Sequence, residues 1–246
     1  MTILAQIKRE FLSFFFSPIA YVLLVATMIY NGIVFLLIVE FLSDPRAPHG
    51  AAMQFMFGGT DFFYILIITA ASFITMRLIA HEKNAGTLEA LLTAPINDAQ
   101  VVAAKFLAAV CFYIVLWLPT LAYPLILSRY SEVDMGPIAA GYLGTLGMGM
   151  MFLSVGLLAS SLSRNQIVAA LLSFGGNMIL FLLGIFEFVS QGQSSDSVLS
   201  YLNLWNHMPE FSRGIVDTRH LVYYISVTLF MLFTTVQVLQ ARRWRA

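Results

Sequence analysis

The side chains best suited to metal or nucleophilic chemistry are four histidines, His49, His81, His207 and His220, and a lone cysteine, Cys111. Their spacing supports no such chemistry. The histidines are scattered over three loops and match no ligand pattern for zinc. One cysteine excludes an intramolecular disulfide and a C-x-x-C metal site, and Cys111 sits in an apolar run where a small hydrophobe belongs. The sequence lacks H-E-x-x-H, G-x-S-x-G and the phosphate-cradling G-x-x-x-x-G-K-[ST]. The expectation is a chain with no catalytic, cofactor-binding or metal-binding residue of its own.

One stretch is built for contact instead. "HEKNAGTLEALLTAPINDAQVVAAKF" runs from His81 to Phe106 between two oily segments. Leu88, Leu91 and Leu92 stand at i, i+3 and i+4, so they share one face of a short helix. Gly86 and Thr87 precede them, Glu82 and Glu89 flank them, and Pro95 discourages continuation. Asn97 or Asp98 can cap the helix that follows. A leucine knob of this size finds no soluble domain of its own chain to bury into. It lies on lipid or fills a groove on a partner.

The elements around it are set by composition. The 246 residues are 59% hydrophobic and 11% charged, against about 25% charged in soluble domains. Such a chain is an integral membrane protein. Its formal net charge of zero gives no reason to bind nucleic acid. A spanning helix needs about 20 apolar residues. Six stretches qualify: Ile19–Val39, Phe62–Ala80, Val101–Leu127, Ile138–Ser160, Gln166–Phe186 and Leu221–Leu239. Pro119 and Pro124 predict a kink or an early end in the third. The first is too long for a signal-peptide core and no small-residue cleavage site follows, so it reads as a retained span.

Six spans put both termini on one side. Placing that side in the cytoplasm gives it Lys8, Arg9, Arg77, Lys83, Lys105, Arg164, Arg242, Arg243 and Arg245, and leaves outside only Arg46, Arg129, Arg213 and Arg219. The positive-inside bias therefore predicts cytoplasmic termini. No ionisable residue lies at mid-depth in any span, which argues against an ion-coupled carrier. Asn31 and Asn177 are the mid-span polar residues, each expected to bond a neighbouring helix. Gly141, Thr145 and Gly149 recur every four residues along the fourth span, a stripe for close helix packing within the bundle or between two copies.

Two further segments flank the spans. In residues 1–17, Ile3, Leu4, Ile7, Phe11, Phe14 and Phe15 gather on one helical face, with Thr2, Gln6, Arg9 and Ser13 opposite and Lys8 and Glu10 at the flanks. This predicts an amphipathic helix in the membrane interface, with Ile7, Phe11 and Phe14 facing the lipid; a plain extension of the first span is the alternative. Residues 188–220 form the longest outer loop. Tyr201, Trp205, Met208 and Phe211 suit short interfacial or re-entrant helices in the outer leaflet, or a cap on the bundle. Arg213 and Asp217 are spaced for an ion pair.

The stretch from Glu82 to Phe106 resembles the loop between the second and third spans of ABC type-2 transporter permeases. Glu82, Gly86, Thr87, Leu88, Glu89, Leu91, Leu92 and Pro95 stand at that family's positions. The stretch "FSRGIVDTRHLVYYISVTLFMLFTT" resembles most the gliding-motility and copper-processing subgroup. The resemblance implies an all-α, type V exporter-like fold over residues 1–246 as one transmembrane domain, with residues 81–100 as a cytoplasmic coupling loop. It implies a bacterial cytoplasmic membrane, a second permease subunit, identical or not, and a separate ATP-binding cassette subunit that carries ATP and Mg and receives the coupling helix. Any domain that handles substrate outside then comes from another chain. Export driven by that ATPase is the expected function. The alternatives are an ATP-driven mechanical transmitter acting on an outer partner, and a secondary transporter.

Overall fold

The computed structural model describes residues 3–43, 56–57, 61–86, 97–129, 134–189 and 203–243. Among these the chain is all-α, and six helices are long and apolar enough to cross a membrane. Helix α1 (Ile3–Phe15) gives way to a turn at Phe16 and Ser17, and Pro18 opens α2 (Pro18–Leu42), where its missing N–H costs nothing. Helix α3 (Asp61–Thr75) is followed by a turn at residues 76–79 and the short α4 (Ala80–Asn84). Asn97 caps α5 (Asp98–Trp117) by accepting from the Ala99 amide at 3.3 Å. The expected kink is present: a 3-10 turn at Leu118–Leu121 carries Pro119 and leads into α6 (Ala122–Leu127).

Asp134 caps α7 (Met135–Leu162), accepting from Gly136 N at 2.9 Å, and the Asn165 side chain accepts from Ile167 N at the start of α8 (Gln166–Val189). Helix α9 (Leu204–Ser212) starts at Asn203 and stops at Gly214, whose φ of 83° only glycine adopts cheaply. Asp217 then accepts from Arg219 N at 2.8 Å as α10 (Thr218–Arg243) begins.

Helix α7 is the axis of the bundle. Most of it is buried, and α3, α5, α8, α9 and α10 all pack on it, whereas α2 and α10 turn most of their surface outward. Its glycines set this arrangement. A Cβ at Gly141 would meet the Phe57 ring at 2.4 Å, at Gly144 the Phe211 ring at 2.7 Å, at Gly147 the Tyr224 ring at 2.8 Å and at Gly149 the Tyr113 ring at 2.2 Å. The Gly141, Thr145 and Gly149 stripe thus packs inside this one chain. The Tyr113 hydroxyl donates to Thr145 O at 3.2 Å, which closes the α5–α7 seam.

Three local expectations are corrected. Asn31 donates to Thr27 O at 2.8 Å within its own helix, because α2 has few neighbours to offer; Asn177 does reach across, to Phe152 O on α7 at 3.3 Å. Met208 and Phe211 are fully buried and Trp205 stacks on Phe181, so α9 turns its apolar face onto the bundle and not into a leaflet. The slot at Gly144 makes that burial possible. Helix α1 buries Gln6, Glu10 and Phe14, while Ile3 and Leu4 are exposed; its inward row is largely polar because of what it meets on α5.

Candidate functional site

Lys105 lies on the first turns of α5 with 2% of its side chain exposed. A buried ammonium needs opposite charge at short range, and two acids supply it. Lys105 Nζ lies 2.7 Å from Glu82 Oε1 on α4 and 3.2 Å from Glu10 Oε2 on α1. Arg9 adds a contact of 2.8 Å to the other oxygen of Glu10. Burial alone would raise the Glu10 carboxyl, but Lys105 and Arg9 together outweigh it and hold the group below its ordinary value. The bond to Glu10, for its part, holds the Arg9 guanidinium above its usual range.

The helices meet here for apolar reasons as well. Phe14 stacks on Phe112 of α5 with centroids 4.8 Å apart. Arg77, just past α3, lies 5.4 Å over the Phe14 ring and donates to Ser13 O at 2.5 Å. One face of α1 is therefore fastened to α5 and to the end of α3.

Helix α4 is held from both sides. Glu82 reaches Lys105, while Lys83 donates to Ser161 O on α7 and His81 bonds Gln166 at the start of α8 at 2.9 Å. Ser160 completes the joint. Its hydroxyl accepts from Ile79 N at 3.1 Å and Ala80 N at 3.0 Å, and lies 3.2 Å from Met76 O, so it satisfies the backbone that the break after α3 leaves open. A displacement of α4 would be felt by α1, α5, α7 and α8 together.

The expected coupling residues divide in two. Glu82 is in the ion cluster, and Gly86 follows α4 with φ of 69° and open space around it. Thr87, Leu88, Glu89, Leu91, Leu92 and Pro95 lie outside the described residues. Of the α1 set, Phe14 is buried and Ile7 and Phe11 are half-buried. Sequence reasoning missed Glu10, Lys105 and Ser160. A lysine inside an apolar run was a legible demand for an acid, but only the fold pairs it with Glu10.

Residues 49–239 match the profile of the ABC-2 family of transporter proteins. The chain belongs to the ABC-2 family. No curated protein matches it. The protein is thus a permease component of an ABC transporter, a multi-pass membrane protein and a transport component that is not itself catalytic.

At the other end of the permease, Glu210, Asp217 and His220 place ligand atoms within 4.8 Å of one another. His220 Nε2 lies 2.7 Å from Glu210 Oε2, and the His220 ring stacks 3.9 Å from His207, whose Nδ1 bonds the Tyr224 hydroxyl at 3.1 Å. The expected Arg213–Asp217 pair is not formed; Asp217 caps α10. This cluster joins α9 to α10 by bonds among its own members.

Proposed function

We propose that the permease takes its energy from a separate ATP-binding cassette subunit seated on residues 87–96, and that α4 passes the motion to the bundle through the Lys105 cluster. The observation that carries this is the double fastening of α4. Helix α4, which precedes the leucine-rich stretch in sequence, is bonded on one side to Lys105 of α5, and through it to Glu10 of α1, and on the other side to α7 and α8. A load on the loop reaches the spans without first spending itself on a slack joint.

The rest of the reading follows the family and the charge pattern. The Lys105 end faces the cytoplasm of a bacterial cell, two permease subunits pair, and ATP and Mg reside on the ATPase. Substrate moves outward. The stretch from Phe211 to Thr235 supports the gliding-motility and copper-processing subgroup. The alternative of a secondary transporter loses ground because no described helix carries an ionisable residue at mid-depth.

The deciding experiment is recovery of the complex in mild detergent. An Asp at Leu91 or Leu92 puts a charge into an apolar docking groove. The double variant Leu91→Asp/Leu92→Asp is expected to lose the ATPase that accompanies the wild type while keeping its own yield and melting temperature. Wild-type recovery of the ATPase with that variant would refute docking through this loop.

A further inference from the structure

We propose that the corner between α1 and α5 is a binding site for one anionic phospholipid, with an acyl chain in the groove and the phosphate on Lys8. The groove has a volume of about 410 Å³. Leu4, Ile7 and Phe11 of α1 form one wall, Cys111, Ile114 and Val115 of α5 the other, and Lys8 is the charged residue that lines it. The walls offer hydrocarbon and almost no hydrogen-bonding group, which suits an acyl chain and not a peptide backbone.

Charge decides the headgroup. The neighbouring cations are committed: Arg9 to Glu10, Lys105 to Glu10 and Glu82, Arg77 to Ser13 O and the Phe14 ring. Lys8 is exposed and forms no ion pair among the described residues. Among the described residues it is the one cation at this corner left to meet a phosphate. The depth agrees. From Lys105, which belongs at the polar boundary, to Val115 is about 15 Å at 1.5 Å per residue, close to half of a core roughly 30 Å thick. The α5 wall, Cys111 to Val115, therefore lies about 9–15 Å in from that boundary at 1.5 Å per residue, at the depth of one leaflet's acyl chains.

The inference rests on the bundle spanning a bilayer and not on the docking of an ATPase, so its test uses the permease alone. Cys111 is the single cysteine of the chain and lies in the groove. A small bimane label there, in phosphatidylcholine vesicles, reports contact with brominated chains. Brominated phosphatidylglycerol is expected to be enriched at the label about fivefold over brominated phosphatidylcholine. Lys8→Gln, an exposed change that leaves the fold intact, is expected to abolish the preference. Retention of phosphatidylglycerol by the unlabelled protein in native mass spectrometry, reduced in Lys8→Gln, guards against displacement by the label. Equal quenching by both lipids would reduce the groove to bulk solvation by lipid. Protection from both would place a second copy or another protein there. A preference that survives in Lys8→Gln would remove Lys8 from the site. Each of these three results overturns the proposal.

Discussion

At Lys105 the protein commits a full positive charge to a place with 2% exposure, and two acids on other helices answer it. Removing one member of such a group strands the others without solvent. Lys105→Met is therefore expected to cost about 3 kcal/mol, whereas the triple variant Glu10→Gln/Glu82→Gln/Lys105→Met recovers most of that loss; thermal melting in detergent measures both. Acid acts on the same group. The folded-state pKa of Glu10 lies below its ordinary value of 4.5. Its contribution to stability is thus complete above that value and is lost as pH falls through the lower folded one, because the unfolded chain then binds the extra proton. Melting curves taken on the acid side of pH 4.5 are expected to fall more steeply for the wild type than for Glu10→Gln.

Among the elements, α7 works through what it lacks. Tyr113 occupies the place where a Cβ of Gly149 would stand, so Gly149→Ala is expected to destabilise by about 1–3 kcal/mol. Gly175 on α8 has open space around it, and Gly175→Ala is expected to be neutral or to stabilise by up to about 1 kcal/mol through helix propensity. Paired melting temperatures of the two variants separate close approach from backbone freedom. The contrast also marks what the sequence could disclose. Six spans follow from length and apolarity, and the kink follows from Pro119 and Pro124. The break after Thr75 does not, because no proline or glycine marks it; Ser160, more than eighty residues away, makes it affordable. The inward face of α1 was hidden for the same reason. Periodicity turns the apolar face, Phe14 included, to the lipid and leaves Gln6 and Glu10 outside it, but the partner at Lys105 selects Glu10, with Gln6 and Phe14 on the same buried row. The spacing of Leu88, Leu91 and Leu92 reads as a contact surface, its ATPase-coupling role rests on resemblance, and these leucines lie outside the described residues.

For the molecule as a whole, the proposed function makes the α4 end the one that receives work and the rest of the bundle the one that responds. Glu82→Gln leaves the knob untouched and slackens the joint behind it. The intact complex in vesicles is expected to keep basal ATP turnover and to lose most of its stimulation by substrate, with the ATPase still bound; unchanged stimulation would show that α4 carries no load. The glycine axis has a different consequence, for how the chain is made. Phe57 and Tyr113 precede α7 in synthesis, whereas Phe211 and Tyr224 follow it. The slot at Gly144 therefore stays empty until the ribosome has delivered α9, and the slot at Gly147 until it has delivered the last span, so a nascent permease halted before Tyr224 carries an unfilled seam along its own axis.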